Sequence, residues 1–558
     1  MLQSRAAVRA SRWAIGWTLV VAALILPAIG APSADCPDRV TEALAAYRIE
    51  EFARSADLFG ETIRCGRIDA RVFYDAACSS ARAGRVEEAL ERLERALAAG
   101  MDGLDRLQND IDLTSLRGTA RWQSIVTRCR ANAEAVRKFW SNDAVTSPFS
   151  ETLTEDQRIA GLSRVWWEVK MNFVNFDLVP DLDWDALYMK YLPRARAAAS
   201  TLDYYMALAE MCAMARDGHT SVIFPKELGD RLFSRPPVRT RFVDGQVLVS
   251  EILGDPGAAA LSVGDVLTEV EGLAVAEFAA RNVRPYQSAS TPQSLDLRVH
   301  EDSLLSGAAG TSVSVGVRRA DGSRQTARLA RLTPAELGQR APPAREFELR
   351  QAGGGIAHVL LNTFGSPKAA DQFEENLVSI LGAKGLILDV RRNEGGNSGV
   401  GFRILSHLIE QPRVVTRWRT RQYSPVYRAW GWPTEPFGGE VSIAPAVEAG
   451  RFHGPVVVLT SARTLSAAED FTAAFRVLAR GKIIGQTTGG STGQPIAMRL
   501  PGGGSVRICA KRDVAADGTD WIGSGIVPDI EMRLTVADVV AGRDRALDRA
   551  VEEIAKGR

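Results

Sequence analysis

In the last third of the chain, short apolar runs alternate with helical periods. Gly454–Thr460, GPVVVLT, is a β-branched run that predicts a buried strand, and an Ala-rich helical period begins at Ser466. Gly385–Val390, GLILDV, is a second run of this kind, and a glycine-rich turn follows it. Strands and helices that alternate in this way predict an α/β sandwich over residues 345–535.

The preceding segments show different patterns of hydrophobic and polar residues. Residues 150–235 show helical periods, and residues 236–335 show short strands separated by Gly and Asp turns. In residues 36–135, small and aromatic residues recur after 34 positions, a period that resembles tetratricopeptide helix pairs. Partner binding and simple spacing are both open roles for this region. Residues 536–558 predict a C-terminal helix. The predicted fold class is therefore multidomain α/β.

The first 34 residues predict a secretory signal peptide. Arg5, Arg9 and Arg12 precede the uncharged run Trp13–Ile29, and small residues follow it as far as Ala34. An uncleaved N-terminal anchor is the alternative, because a run of this length just spans a bilayer. In both cases we expect the bulk of the chain to be exported, either to the periplasm or into the medium.

Composition argues against two classes of function. The 558 residues carry a formal net charge of +1, which provides no basic field for binding nucleic acid. The six cysteines form no C-x-x-C pair and the five histidines show no zinc-binding spacing, so we expect neither a metal nor another cofactor. Four cysteines lie before residue 130, where an exported protein can pair them, and their connectivity stays open.

Ser466 lies where the predicted strand gives way to the predicted helix, and two interpretations of it are open. A helix N-terminus offers free backbone N–H groups and a positive dipole to a developing oxyanion. Alternatively, Ser466 is only an N-cap, with Glu469 completing an S-x-x-E capping box. Gly395 and Gly396, in the turn after Gly385–Val390, are candidate oxyanion donors because glycine lets the backbone approach a ligand.

His219 is a candidate general base. It lies in the turn Asp217–Thr220, DGHT, between a predicted helix and a strand-like segment. A histidine at the end of a helix is usually structural, but an imidazole in a sharp turn can also accept a proton near neutral pH.

Several motifs in chain order resemble the C-terminal-processing peptidase and tricorn-core family of serine peptidases. The motifs are Asp217–Thr220, Asp389–Gly396, Thr464–Glu469 and the closing Gly525–Asp529, GIVPD. A PDZ-like segment containing VGDVL and VEG lies between the first and the second of them. The resemblance covers about residues 150–535. It implies a PDZ-like β domain and a catalytic domain of the ClpP/crotonase-like type.

The same resemblance implies a serine peptidase that needs no cofactor, with Ser466 as nucleophile. The N–H of Ala467, together with that of Gly395 or Gly396, would then form the oxyanion hole. Many processing peptidases that this chain resembles use a lysine base at the position of Ser491. The tricorn-like branch uses a histidine instead, which maps onto His219.

The third, orienting group is open. The tricorn-type pattern has a serine before its histidine, where this chain has Gly218, and an acid shortly before the closing motif. Asp520 is the acid nearest to that place. The other candidates for an orienting or supporting role are Asp217, Glu469, Ser491 and Gln494.

The resulting prediction is an exported serine endopeptidase that acts on proteins or peptides, with Ser466 as nucleophile and His219 as base. The alternative is a catalytically weak protein that keeps the peptidase fold and serves as a peptide-binding or scaffold module. The helical repeats are a candidate surface for a protein partner. We expect no nucleic-acid partner, and no membrane contact beyond an N-terminal anchor. The Trp- and Arg-rich stretch Trp418–Trp432 predicts a loop near the cleft.

Overall fold

The computed structural model of the chain describes residues 39–141, 143–254, 261–341, 344–432, 436–446 and 450–556. The chain divides into two compact units, with the boundary after Ser141. The predicted signal peptide and Cys36 lie outside the described residues. Among the helices that the structure describes, none combines the length and the apolar character needed to cross a membrane.

The first unit consists of helices packed in sequence-adjacent pairs. Its helices are α1 (Val40–Arg48), α2 (Phe52–Arg64), α3 (Ala70–Arg82), α4 (Val86–Ala98), α5 (Leu104–Asn109) and α6 (Trp122–Trp140). Phe59 and Leu93, which the 34-residue period relates, are both fully buried in its core. Cys65 is disulfide-bonded, whereas Cys78 and Cys129 are buried free thiols.

The second unit begins with a helical part. Its elements are α7 (Glu155–Asn172), α8 (Trp184–Ala197), α9 (Thr201–Ala213), β1 (Ser221–Ile223) and α10 (Gly229–Leu232). Helix α7 starts with a capping box in which the side chains of Thr154 and Gln157 each accept a backbone N–H of the other residue. Tyr204, Tyr205 and Phe173 fill the core between these helices. The loop between α9 and β1 carries His219.

A strand-rich segment follows, which we call the β-module (residues 235–340). Its elements are β2 (Val238–Val243), β3 (Gln246–Ile252), β4 (Val266–Val270), β5 (Leu273–Ala274), α11 (Val275–Asn282), α12 (Pro292–Asp296), β6 (Ser312–Arg318), β7 (Arg324–Ala330) and α13 (Pro334–Arg340). The strands form an antiparallel sheet in the order β2-β3-β4-β6-β7, and β5 pairs with β4. A π-helical turn, Leu297–Ser303, continues from α12.

The rest of the second unit alternates strands and helices. Its elements are β8 (Phe347–Gln351), β9 (Ile356–Leu361), α14 (Lys368–Glu375), α15 (Leu377–Leu381), β10 (Gly385–Asp389), α16 (Ser398–Leu405), β11 (Arg413–Thr420), α17 (Pro425–Trp430), β12 (Phe437–Ile443), β13 (Val456–Thr460), α18 (Ala467–Leu478), β14 (Gly481–Gly485), β15 (Pro495–Arg499), β16 (Ser505–Cys509), β17 (Lys511–Ala515), β18 (Ile530–Glu531), α19 (Val536–Ala541) and α20 (Arg545–Lys556).

Six of these strands form the core sheet, in the order β18-β14-β13-β10-β9-β8. All neighbours are parallel except the edge strand β8, which is antiparallel to β9. Strands β10 and β13 are buried along their whole length, as expected where both faces of a parallel sheet are covered. Phe471 of α18 packs on one face of the sheet, and Ile554 of α20 packs on the other.

Two three-stranded sheets flank the core sheet, in the orders β1-β16-β15 and β12-β11-β17. The prediction of a loop over Trp418–Trp432 is wrong for most of this stretch, although residues 421–424 form an irregular connection. Trp418 lies in β11, and residues 425–430 form α17. The strand forms because β-branched residues around Val415 favour extended backbone, and both edges of β11 find a partner strand.

A network of charged side chains fixes the chain where it leaves β10. Arg391 donates to both carboxylate oxygens of Asp389, at 3.0 and 2.6 Å, and to both of Asp544, at 2.8 Å each. His358 Nε2 lies 3.1 Å from Asp389 Oδ2. Burial alone raises the pKa of Asp389, but Arg391 and His358 together hold this pKa below its ordinary value. The residue that precedes the glycine-rich turn is thereby fixed in place.

Replacing Arg391 with alanine should lower the free energy of unfolding by about 3 kcal/mol, because it leaves the buried Asp389 without its cation. Arg392 provides the matched control, since it is exposed and pairs with no acid among the described residues. Arg392→Ala should therefore change stability by less than about 0.5 kcal/mol. Urea unfolding followed by tryptophan fluorescence measures both variants. Equal stability of the two variants would contradict the proposed role of the network.

Candidate active site

Two turns meet at one edge of the core sheet. Strands β10 and β13 are parallel neighbours, with Asp389 paired to Leu459, so the segments that follow them leave the sheet side by side. One of these segments contains Gly395 and the other contains Ser466. A Cβ on Gly395 would lie only 2.5 Å from Ser466 Cβ. This approach requires a glycine.

Ser466 has an unusual backbone conformation, with φ 57° and ψ −127°. A non-glycine residue at positive φ is strained, and residues of this kind cluster at functional sites. The Ser466 side chain makes no capping hydrogen bond to α18. The interpretation of Ser466 and Glu469 as a capping box is therefore wrong. The turn directs Ser466 Oγ away from the helix and toward His219.

The imidazole of His219 lies between two serine hydroxyl groups. Its Nε2 is 3.0 Å from Ser466 Oγ, and its Nδ1 is 2.7 Å from Ser491 Oγ. The side chain of Asp217 accepts the backbone N–H of His219 at 2.9 Å. If Nε2 accepts the hydroxyl proton of Ser466, Nδ1 carries the ring proton and donates it to Ser491.

His219 is only 5% exposed. Burial, together with the positive charges of Arg507 and Arg298, lowers the pKa of His219 to about 3. Arg507 is close because it pairs with Ser221 across β16 and β1, and its Nη2 donates to Gly218 O at 3.3 Å. The imidazole is therefore neutral at physiological pH and can accept a proton.

Glu469 supports the Ser491 loop and does not contact His219. Its buried carboxylate accepts the backbone N–H groups of Gly490 and Ser491, both at 2.8 Å, and the hydroxyl of Thr488. Burial raises the pKa of Glu469 to about 8. Ser491 O in turn accepts the backbone N–H of Ser466 at 2.9 Å. The loop that contacts the imidazole is thus tied to both α18 and Ser466.

The two glycines that were predicted as oxyanion donors differ in whether their backbone N–H is already hydrogen-bonded. The N–H of Gly395 donates to Asn393 Oδ1 at 2.9 Å, so the prediction of Gly395 as a free donor is wrong. The N–H groups of Gly396 and Ala467 have no acceptor among the described residues. Asn393 also donates to Leu361 O at 3.0 Å and is fully buried, which fixes the turn.

The other candidate residues lie away from the imidazole. Asp520 forms an ion pair with Arg512 at 2.5 Å, so it is not the orienting group. In the described part of the chain, Gln494 makes no hydrogen bond to His219 or to Ser466. A Cβ on Gly218 would lie 3.0 Å from Ser491 Oγ, so the space beside His219 is already taken by that hydroxyl.

Sequence reasoning missed Arg507 and Arg298. Residue 507 is 289 positions away from Gly218 in the chain, and only the pairing of β1 with β16 brings the two together. No motif in the sequence marks either arginine.

One group of side chains in the first unit has the composition of a metal site. Within the described residues, ligand atoms of Cys78, Asp110 and Asp112 lie within 4.8 Å of one another. The two carboxylates already accept the hydroxyl groups of Tyr74 and Tyr47. These hydrogen bonds give the acids partners without a metal.

The low pKa of His219 predicts how stability responds to acid. Between the ordinary value of 6.5 and the folded value of about 3, the unfolded chain binds the extra proton, so this contribution to stability falls as the pH falls through that window. His219→Gln removes the contribution. The difference in unfolding free energy between wild type and variant should therefore change with pH below about 6.5 and be constant above it. Urea unfolding at a series of pH values measures the difference, and a constant difference throughout would contradict the low pKa.

Comparison with known proteins found sequences and structures that are similar to parts of this chain. Residues 355–532 match the sequence model of Peptidase family S41. The chain is 28% identical over 407 residues to tricorn protease homolog 2 of Streptomyces coelicolor, a match that covers 66% of this chain and 30% of that protein. It is 25% identical over 297 residues to the carboxy-terminal processing protease CtpA of Bacillus subtilis, covering 52% of this chain and 54% of that protein.

The fold also resembles a solved structure, mature CPAF complexed with lactacystin. The TM-score is 0.57 at 15% identity, and the match covers 72% of this chain and 98% of that one. At this identity the likeness shows the fold alone. The matched part spans about a third to a half of the length of the curated relatives. The chain therefore carries, over residues 355–532, a domain that matches Peptidase family S41, and this domain contains Ser466 and the glycine-rich turn.

Proposed function

We propose that this chain is a serine endopeptidase that hydrolyses peptide bonds of proteins or peptides through an acyl-enzyme on Ser466. The observation that supports this most directly is the 3.0 Å contact between Ser466 Oγ and Nε2 of the buried, neutral His219. The strained backbone of Ser466 and the N–H of Ala467, which has no acceptor among the described residues, suit a nucleophile turn for acyl transfer.

The proposed reaction starts with proton transfer. His219 Nε2 takes the hydroxyl proton of Ser466 while Oγ attacks the peptide carbonyl carbon. The N–H groups of Ala467 and Gly396 stabilise the oxyanion that forms. His219 then gives its proton to the leaving amine, which breaks the C–N bond and leaves an ester on Ser466. Water, deprotonated by His219, hydrolyses this ester and restores the serine.

Ser491 is the orienting residue in this proposal. Its Oγ accepts the Nδ1 proton of His219, which keeps Nε2 free to act as the base. Glu469 acts one step further away, because it holds the backbone N–H of Ser491. In the tricorn-type pattern a serine precedes the histidine. Here Gly218 takes that place, and the hydroxyl comes from position 491.

Labelling with a fluorophosphonate probe tests the function. The wild type should be labelled at Ser466, while Ser466→Ala and His219→Ala should lower labelling and peptide cleavage by about a thousandfold or more. Ser379→Ala is the matched control, since Ser379 is exposed on α15, outside the site. A folded wild type that is neither labelled nor able to cleave a peptide library would refute the proposal. Such a result would favour the peptide-binding alternative.

Exchanging two side chains tests the orienting role. Ser491→Ala leaves the Nδ1 proton without its acceptor and should lower kcat by about 5- to 150-fold, the effect of an unmet buried hydrogen bond. Gly218→Ser alone should also impair the enzyme, because its Cβ would crowd Ser491. The double variant Gly218→Ser, Ser491→Gly places the hydroxyl on residue 218 instead of residue 491, beside the same imidazole. It should be more active than the single variant Gly218→Ser. A double variant no better than the single one would contradict this arrangement.

We also propose that the β-module is PDZ-like and binds an extended peptide along β2, one edge of its sheet. Arg239 and Arg241 of this edge strand line a cavity of about 920 Å³, which offers room for added chain. Fluorescence anisotropy with a labelled peptide library measures such binding. An absence of binding by any library member would argue against this role.

Export is proposed from two observations. The N-terminal residues have the pattern of a signal peptide, and Cys65 is disulfide-bonded, a state that persists in oxidising compartments. N-terminal sequencing of protein recovered from the periplasm and the medium tests this.

We further propose that the first unit is a tetratricopeptide-like region for a protein partner, since α2 and α4 begin 34 residues apart. Deleting the first unit should then leave the labelling of Ser466 unchanged.

A further inference from the structure

Within the described residues, no hydrogen bond or ion pair joins either of two guanidinium groups beside His219 to a carboxylate. Arg507 Nη2 donates to Gly218 O, and its buried Nε has no hydrogen-bond partner. Arg298 Nη2 lies 3.8 Å from the position of a Cβ on Gly218, and no ion pair joins its guanidinium to a described residue. Two unpaired cations therefore meet at the backbone next to the proposed base.

Among the described residues, the other charged and titratable groups around the imidazole form no ion pair with these cations. Asp217 favours the charged form of Arg507, but burial raises the pKa of Asp217, and its carboxyl group accepts the backbone N–H of His219 and the side chain of Asn175. Glu469 is engaged with the Ser491 loop. Cys509, also on β16, is a free thiol whose pKa is raised by burial, so it stays neutral. Serine hydrolases usually place an acid behind the histidine, and here no acid contacts the ring.

We propose that Arg298 and Arg507 form an anion site that takes a carboxylate or a similar oxyanion, and that the bound anion supplies the negative charge missing behind His219. The inference rests on the proposed peptidase function. A planar carboxylate suits two guanidinium groups, because each can donate two parallel hydrogen bonds to it. Arg298 is partly exposed, which opens the site to solvent.

The bound anion changes the base directly. The two arginines disfavour the imidazolium, and a neutralising anion removes that effect, so the pKa of His219 rises toward its ordinary value. A base with a pKa nearer to the working pH takes the serine proton more effectively. Two sources supply the same chemistry: an acidic side chain or terminal carboxylate of the peptide substrate, or a small anion from solution.

The rate of fluorophosphonate labelling, measured against pH, tests the inference. The probe anion is sulfate, which stays ionised over the whole range, and sodium chloride keeps the ionic strength constant. In the wild type, sulfate should shift the acid limb of the profile to higher pH by about 1–3 pH units. It should also raise the labelling rate at neutral pH. In the double variant Arg298→Gln, Arg507→Gln, the acid limb should lie at a higher pH than in the wild type even without sulfate. Adding sulfate should no longer shift it. Arg324→Gln, an exposed charge change on β7, should respond like the wild type.

Cleavage of matched peptides separates the two sources. One pair differs by Glu or Gln next to the scissile bond, and another by a free or amidated C-terminus. A substrate-borne anion predicts kcat/KM about tenfold or more higher for the acidic member, a preference that the double variant loses. A solution anion predicts that sulfate activates cleavage of both members equally. Arg298→Gln alone serves if the double variant does not fold.

The two proposals fail in different ways. A wild type that is labelled at Ser466 but responds neither to sulfate nor to an acidic peptide overturns the anion site and leaves the peptidase function intact. A wild type that is not labelled under any condition overturns the peptidase function itself.

Discussion

The parallel pairing of β10 with β13 is the interaction on which the site depends. Two parallel strands that are neighbours in a sheet end at the same edge, so the turns that follow them must meet. In this protein one turn provides Gly396 and the other provides Ser466. The contact is so close that Gly395 must lack a side chain, and the buried pair of Asp389 and Arg391 fixes the strand end before it. The backbone geometry of the site is thus a consequence of sheet topology.

The imidazole of His219 is positioned at this site by other parts of the chain. His219 follows the helical part of the second unit, and the short strand β1 joins it to β16. The β-module touches this region as well, since Ser290 Oγ accepts the N–H of Gly218 and Thr291 donates to Gly489 O. Three parts of the chain therefore hold the histidine and the Ser491 loop, and a displacement of any of them would alter the contact with Ser466.

The chemistry behind the histidine differs from the usual carboxylate arrangement. The Ser491 hydroxyl lies 2.7 Å from Nδ1, and two arginines nearby oppose protonation of the ring. The same two positive charges favour the neutral imidazole. In our proposal, a bound anion offsets these charges and strengthens the base, which links the proposed activity to the anionic character of what binds.

Some parts of the fold and of the candidate site could be predicted from the sequence, and others could not. The apolar runs at residues 385–390 and 454–460 determined two strands of the core sheet, because β-branched runs bounded by turns form buried strands. The ordered motifs were enough to single out Ser466, His219 and the glycine-rich turn. They were not enough to choose between Gly395 and Gly396, because that choice depends on which N–H the Asn393 side chain occupies. Nor could they exclude Asp520, whose ion pair with Arg512 becomes visible only in the fold. Only the tertiary structure brought Ser491, Arg298 and Arg507 beside His219 and Gly218, because contacts between distant segments arise from strand pairing and from packing of the β-module and leave no local pattern in the chain.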